Sequence, residues 1–362
     1  MVKQIVFAIK SLYGGGAQRT LLILSNEFKK NGYDVLILTM FNKVDYTIPF
    51  GVKHICLNID PTDMSYSHNK ASITDISSHI NLDDVIFFVF SNSGYLYDYI
   101  VKFRKTSGRT YPIVAVLQNN PADSPSSDSL REYRNTVFQE LSKDNSFFVF
   151  QTEFEKQYFP SNIQMKSVII GTPIVDSLPL PYSGERRRTI VSMGRLTEQK
   201  NYHLLLSAFS VFIKKHPDYS LEIYGEGELR NELEGFAKQL DLPVFWGGFR
   251  KDVHMLINDA KMFVLASNYE GLSNAVLESL SLGLPTICTD CPAYGARSII
   301  QNGINGLLVP PNDPKALLGA MDLLATDGIF CQMISRNAAR IRGQQSTKTI
   351  YESYLEIINS VC

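Results

Sequence analysis

The chain is 362 residues long, with an apolar fraction of 44%, a charged fraction of 20% and a formal net charge of −1. That length favours two domains of ordinary size, each able to bury a core. Charge balanced across both halves excludes a nucleic-acid electrostatic footprint, so no nucleic-acid partner is expected. Five scattered cysteines, Cys56, Cys288, Cys291, Cys331 and Cys362, suit a reducing compartment, and Cys288-Thr-Asp-Cys291 reads as small core thiols. The strongest apolar run, Val85 to Phe90, is too short to span a membrane. The amino terminus enters a strand with no signal-peptide pattern. The expectation is a cytoplasmic protein, with peripheral contact at the inner-membrane surface as its closest approach to lipid.

Gln4 to Ile9 is a short apolar run, followed by Gly14-Gly15-Gly16 and an amphipathic segment from Gln18 to Lys30. Asn31-Gly32 stops that helix, and Val35 to Met40 is the next strand. This βαβ opening has a glycine-rich first turn that lets a backbone approach a ligand closely, but it matches neither a dinucleotide fingerprint nor a P-loop. Further strands are predicted at His54 to Asn58, Val85 to Phe90, Ile113 to Leu117, Phe147 to Phe150 and Ser167 to Ile170. Tyr99 to Lys105 mixes basic and aromatic residues in a way compatible with a lipid headgroup surface or with an ordinary amphipathic helix end.

Around Gly171-Thr172-Pro173 and on to Gly184-Glu-Arg-Arg-Arg188 the composition turns to linker, and the arginine run reads as a solvated charge cluster. The second half repeats the alternation. Strand Thr189 to Ser192 is followed by a helix at 201–215 and strand Ser220 to Tyr224, with Gly225-Glu-Gly227-Glu opening a helix. Strand Val244 to Trp246 leads into Gly247-Gly248-Phe249, helix Val253 to Asp259 and strand Met262 to Ala266. Helix Ser273 to Leu282 is closed by Gly283 and Pro285, and strand Thr286 to Thr289 and a helix from Pro314 follow. A final amphipathic segment runs from about Thr347 to Val361. Strands alternating with helices predict two α/β, doubly wound parallel domains in tandem, with the ligand crevice at the carboxyl ends of the strands.

The stretch from Glu270 to Pro285 is a strand, a turn and a helix amino end, which offers unpaired N–H groups and the positive end of a helix dipole to an anion. Glu270 in the mouth of the turn and Glu278 on the helix would repel a bare anion, so the fitting ligand also carries hydroxyls. A sugar nucleotide has both. Gly194-Arg195-Leu196-Thr-Glu-Gln-Lys200 follows the first strand of the second half. Lys200 stands immediately before a helix, where the dipole disfavours a cation unless an anion is near. Arg195 and Lys200 can clamp a diphosphate, the first as a fork and the second as a point charge.

Glu-x7-Glu followed by Gly-Leu-Pro, together with Gly-Arg-Leu-x-x-x-Lys, resembles the retaining glycosyltransferases of the two-Rossmann-domain GT-B type, specifically glycosyltransferase family four. The resemblance implies an acceptor domain over 1–175, a nucleotide-sugar domain over 176–345 and a terminal helix over 346–362 packed back on the first domain. It implies Glu270, Arg195 and Lys200 as the catalytic set. Donor contacts would come from Gly15, Gly16, Gly194, Gly271, Leu272, Ser273 and Asn274, with Glu278 on the ribose and the Phe249 backbone at the base. The Phe249 side chain reads equally well as core. No Asp-x-Asp occurs, so no metal or other cofactor is expected, and protein cations and dipoles carry the leaving-group charge. The family usually places a histidine after the strand at Ile113 to Leu117. Here Gln118 and Asn119 stand there, able to hydrogen-bond a sugar or acceptor but not to carry a proton at neutral pH. The six histidines, His254 among them, read as structural or exposed. The function expected is transfer of a hexose or N-acetylhexosamine from a UDP-linked donor to a glycan or lipid-linked glycan in surface polysaccharide assembly. A sugar-nucleotide epimerase or hydrolase and a catalytically silent sugar-nucleotide-binding protein are the alternatives.

Overall fold

A computed structural model describes residues 2–60, 76–118, 127–292 and 294–361. The chain divides into two compact units, Met1–Pro173 with Thr347–Cys362, and Ile174–Ser346.

Among the described residues the first unit holds seven strands: β1 (Gln4–Ile9), β2 (Asp34–Thr39), β3 (Lys53–Cys56), β4 (Val85–Phe90), β5 (Ile113–Val116), β6 (Ser146–Phe150) and β7 (Ser167–Ile169). They form one sheet in the order β3-β2-β1-β4-β5-β6-β7, with every neighbouring pair parallel. β1 and β4 are buried at every position. Layers of helices on both faces of a parallel sheet require this, and it explains why such strands read as continuous apolar runs. The helices are α1 (Gly16–Lys30), α2 (Gly94–Ser107), α3 (Asp128–Leu141), α4 (Glu153–Gln157) and α5 (Ser161–Gln164). α1 stops where Asn31 caps it and Gly32 takes a φ of 90°.

Of the two readings of Tyr99 to Lys105, α2 fits the ordinary amphipathic helix end. Tyr99, Ile100, Val101 and Phe103 are buried on its inner face. Lys102 reaches Asp98 at 2.7 Å, Arg104 reaches Asp144 at 2.7 Å and Lys105 pairs with Glu140. A helical period sends the aromatic rings inward and the bases to carboxylates of the same unit. Arg104 is buried, and the two lysines pair at the surface.

The second unit has β8 (Arg187–Met193), β9 (Ser220–Tyr224), β10 (Val244–Gly248), β11 (Ala260–Leu265), β12 (Thr286–Thr289) and β13 (Leu307–Val309). They form a parallel sheet in the order β10-β9-β8-β11-β12-β13. Its helices are α6 (Tyr202–Lys215), α7 (Arg230–Gln239), α8 (Val253–Ile257), α9 (Asn274–Ser281), α10 (Gly295–Ile299), α11 (Pro314–Thr326), α12 (Gly328–Ala338) and α13 (Ile341–Gln344). The helix expected to open at Gly225 starts instead at Arg230. The chain before it is held on the neighbouring loop, with the Leu196 N–H donating to Glu226 O at 2.9 Å and the Leu229 N–H to Leu196 O at 3.1 Å.

The arginine run is not a solvated linker. Arg186 donates to Asn258 O, Ala260 O and Gly283 O at 2.8–3.0 Å. Arg187 opens β8, bonds Asp259 at 2.8 Å and Leu256 O at 2.7 Å, and pairs with Glu222. The strand starts two residues earlier than its apolar stretch because these guanidiniums find partners on the neighbouring strands. Of the three arginines only Arg188 is exposed, and it pairs with Asp218.

The last helix, α14 (Thr347–Val361), belongs to the first unit. It buries Ile350, Tyr351, Tyr354, Ile357 and Ile358, with the Tyr351 ring 4.7 Å from Phe28 and Tyr354 5.3 Å from Phe88.

One buried acid gives the first unit a pH response. Thr152 caps α4 by accepting from the Glu155 N–H at 3.1 Å, and Glu155 Oε2 accepts from the Gln151 N–H at 2.7 Å. This is a capping-box pattern, but Glu155 is 1% exposed and its Oε1 has no hydrogen-bond partner. Burial pushes this carboxyl up to about 8 from its ordinary 4.5. The folded state therefore binds the proton more tightly, and stability falls as pH rises from about 4.5 to 8. Glu155→Gln keeps the shape without the charge. In urea titrations its advantage over the unmodified chain should grow across that window, by up to roughly 4 kcal/mol. A constant difference from pH 5 to 8 would show that Glu155 does not titrate there.

Candidate active site

The switch point of the second sheet lies between β8 and β11, where strand order reverses, and ligand sites of doubly wound sheets form at the carboxyl ends there. After β8, the Gly194 N–H donates to Tyr224 O at 3.0 Å, which brings the turns after β8 and β9 together. Gly225 makes that approach possible: it adopts φ +136°, and a Cβ on it would stand 1.9 Å from Gly194 O. A 3₁₀ turn, Glu198–Lys200, then leads to Asn201, which takes φ 44° and caps α6 by accepting from the Leu204 N–H.

This turn folds Lys200 inward, to 9% exposure, where its ammonium pairs with Glu270. The cation at a helix start is thereby reconciled with the dipole by a carboxylate of the same unit. Glu270 Oε2 also accepts from Ser267 Oγ at 3.1 Å, and the Glu270 N–H donates to Pro292 O at 3.2 Å. Amides fasten the two loops. Asn201 donates to Asn268 Oδ1 at 2.8 Å and to Asn312 Oδ1 at 3.0 Å. Asn268 donates to Glu198 O at 2.8 Å and Gln199 to Tyr269 O at 3.1 Å.

α9 begins at Asn274 behind Ser273, which makes no side-chain cap, and no acid stands in its first turn. Its leading amides are thus left by the helix to an incoming anion. Gly271, in the loop ahead of it, packs on Gly295, where a Cβ would lie 2.0 Å from Gly271 O. Leu272 is half-buried and Ser273 buried. Glu278, on the second turn and 7% exposed, accepts from His254 Nε2 at 2.8 Å.

Beside these groups lies a pocket of about 460 Å³, lined by Met193, Gly194 and Arg195, by Tyr224, Gly225 and Glu226, by Gly248, Phe249 and Arg250, and by Val253 and Ala275. Arg195 is exposed, with Gln199 Oε1 3.4 Å away, whereas Arg250 is held by Asp252 at 2.8 and 2.9 Å. Phe249 is 73% exposed, which excludes the core reading of its ring. The Tyr224 hydroxyl donates to Glu222 at 2.9 Å. Burial, followed by that carboxylate, pushes the phenol up to about 12, so it is a donor at neutral pH.

Of the candidate residues in the second unit, Gly194, Arg195 and Phe249 line the pocket, Lys200 and Glu270 pair with each other, and Gly271, Leu272, Ser273, Asn274 and Glu278 lie before or on α9, whose Ala275 reaches the lining. In the first unit, Gly14 and Gly15 take positive φ, and Gly16 opens α1, which has neither a side-chain cap nor an acid in its first turn. Gln118 is half-buried just beyond β5, and Asn119 lies outside the described residues. Sequence reasoning missed Tyr224, Arg250 and Val253 in the lining, and it missed His254 as the partner of Glu278. No local pattern marks that histidine, because the pairing exists only once α8 and α9 are packed together. Among the described residues no group of three or more histidine, cysteine, aspartate or glutamate side chains is arranged to hold a metal.

Residues 182–341 match the family described as glycosyl transferases group 1. An uncharacterised glycosyltransferase of Haemophilus influenzae is 24% identical over 93% of this chain and 94% of its own. A Campylobacter jejuni enzyme, GalNAc-alpha-(1->4)-GalNAc-alpha-(1->3)-diNAcBac-PP-undecaprenol alpha-1,4-N-acetyl-D-galactosaminyltransferase, is 31% identical over 51% of this chain and 52% of its own. In fold, the chain superposes on Anabaena Alr3699/HepE solved with UDP at a TM-score of 0.81 and 17% identity, covering 99% of this chain and 100% of that one. The two parallel sheets, the matched domain and these relatives agree: the chain is a glycosyltransferase of the GT-B fold whose residues 182–341 match the glycosyl transferases group 1 family.

Proposed function

We propose that the chain is a retaining transferase that moves a hexose or N-acetylhexosamine from a UDP-linked donor to a glycan or lipid-linked glycan, without a divalent metal and on the cytoplasmic side of a membrane. The observation that carries the reading is that both carboxylates of Glu-x7-Glu are already engaged inside the unit, Glu270 by the Lys200 ammonium and Glu278 by the His254 ring. Their repulsion toward a diphosphate is thereby reduced, while the α9 amides and the exposed Arg195 remain to receive it. The pocket next to them has the size and partly apolar lining that a nucleoside requires.

Arg195 and the α9 amides stabilise charge that grows on the departing diphosphate, so they act more strongly on the transition state than on the bound donor. Glu270 orients donor-sugar hydroxyls and Glu278 the ribose. With no carboxylate assigned to the far face of the sugar, the acceptor oxygen bonds C1 on the face from which the diphosphate leaves. The C1–O bond to phosphate breaks, and the acceptor's proton passes to the departing phosphate oxygen. Gln118 then has only a positioning role. The Campylobacter enzyme's name describes a lipid-linked acceptor and the Anabaena structure holds UDP, which supports the donor and acceptor classes.

A thermal-shift panel of UDP, GDP, ADP and their sugars, run in EDTA, tests the reading. UDP and one UDP-sugar should raise the melting temperature of the unmodified chain, and Glu278→Ala should lose most of that shift. Stabilisation that appears only with a divalent ion would overturn the metal-free assignment. An α-linked donor giving an α-linked product by NMR supports retention, and a trapped covalent sugar adduct would replace the front-side route.

A further inference from the structure

We infer that His254 is a positioning residue for the ribose of the donor nucleotide, acting through Glu278; the inference rests on the donor-site reading above. His254 Nε2 lies 2.8 Å from Glu278 Oε2, and the two side chains are 19% and 9% exposed. A carboxylate only accepts, so Nε2 carries the hydrogen. The bond also joins two walls of the pocket. On α8, Val253 lines the pocket and Ile257 is buried in the core beneath it. On α9, Ala275 lines the same pocket one turn before Glu278. α8 is only five residues long, so little of its own backbone hydrogen bonding holds it in place, and a charge-assisted side-chain bond to α9 matters correspondingly more.

A carboxylate that is to accept from hydroxyls on one ring must present its oxygens in a fixed plane. Groups that touch a ligand hold such geometry only when a neighbouring partner locks them. His254 supplies that lock from the side of the base pocket, and it orients the acceptor without itself touching the sugar of the nucleotide.

The test compares UDP with 2′,3′-dideoxy-UDP by titration calorimetry on the full chain. The unmodified chain should prefer UDP, and Glu278→Ala should abolish the preference. His254→Leu, which removes the donor, should weaken UDP about tenfold, as expected for a lost hydrogen bond to a charged group, and leave dideoxy-UDP within about twofold. His254→Gln, whose side-chain amide reaches toward the same point, should restore UDP affinity to within about threefold. It also serves as the reporting variant should the leucine form fail to fold.

Equal weakening of both nucleotides in His254→Leu, or no weakening of either, would overturn the inference and make the ring structural. If Glu278→Ala removes the ribose preference while His254→Leu preserves it, the role of His254 falls alone. If Glu278→Ala preserves the preference, the ribose assignment of Glu278 falls, and the inference with it.

Discussion

Lys200→Ala will abolish transfer and lower folding stability by about 3–5 kcal/mol, the cost of leaving a buried carboxylate without its partner. The side chains of Lys200 and Glu270 are 10% and 15% exposed, so solvent cannot replace the lost ammonium. Because the two residues act as one unit, their effects should not add. Glu270→Gln alone removes the charge that Lys200 compensates. Lys200→Met with Glu270→Gln should regain most of the stability, because two neutral side chains of similar volume replace the pair. It should regain no transfer, because the ammonium and the carboxylate charge are both gone and the glutamine amide keeps only one accepting oxygen. Urea unfolding of the four forms together with an assay of sugar transfer separates these effects. Lys200→Ala with unchanged unfolding would show that Glu270 turns to solvent at no cost, and that the pair is dispensable to the fold.

Gly225→Ala should be comparably damaging for a purely geometric reason. The new methyl would meet Gly194 O at 1.9 Å, on a backbone at φ +136° that side chains rarely adopt. Backbone strain of about 1–3 kcal/mol adds to the displacement of the Gly194 turn, which carries Arg195 and leads into the Lys200 segment. A loss of at least about 3 kcal/mol in chemical denaturation and of UDP binding by calorimetry is expected. Gly235→Ala is the matched control: it lies within α7 with nothing inside 4 Å of the added Cβ. It should stabilise by about 0.5–1 kcal/mol, the ordinary helix preference for alanine. If Gly225→Ala binds UDP as tightly as the unmodified chain, the turn after β9 does not set the geometry of the turn after β8.

The fold was legible because its strands are buried on both faces. Val85–Phe90 and Thr286–Thr289, buried throughout, are bounded in the structure as predicted, as is Ser220–Tyr224, whose burial alternates, and the period of Thr347–Val361 places its apolar stripe correctly. Legibility failed where charge is buried by partners distant in sequence. Arg187 looked like linker because Glu222 and Asp259, which receive it, stand on β9 and at the edge of β11. The sequence of α2 left a lipid surface and an ordinary helix end both open because Glu140 and Asp144, which pair with its basic residues, are about forty positions away.

The same division runs through the candidate site. Glu270, Gly271, Ser273, Asn274 and Glu278 share one strand–turn–helix, so their spacing alone groups them. The contact of Lys200 with Glu270 spans 70 residues and that of His254 with Glu278 spans 24. Only the packed sheet and helices create either contact. Sequence pattern named Gly194, Arg195 and Phe249 among the eleven residues that line the pocket, but not which charged groups neutralise one another.

The first unit is discontinuous in the chain, and this shapes how it is made. Tyr351, Tyr354, Ile357 and Ile358 complete a core otherwise built by residues before 174. During synthesis from the amino terminus, that core waits uncapped while the whole second unit, continuous from 174 to 346, emerges and can close on itself. Ile174 and Ser346 pair as a bridge, with the Ile174 N–H donating to Gln345 O at 2.8 Å, so the chain enters and leaves the second unit at one spot. The insertion thus returns the growing chain close to where it departed. The entropic penalty of closing a loop of more than 170 residues is borne by the second unit's own folding, and the last helix has only a short search left to make.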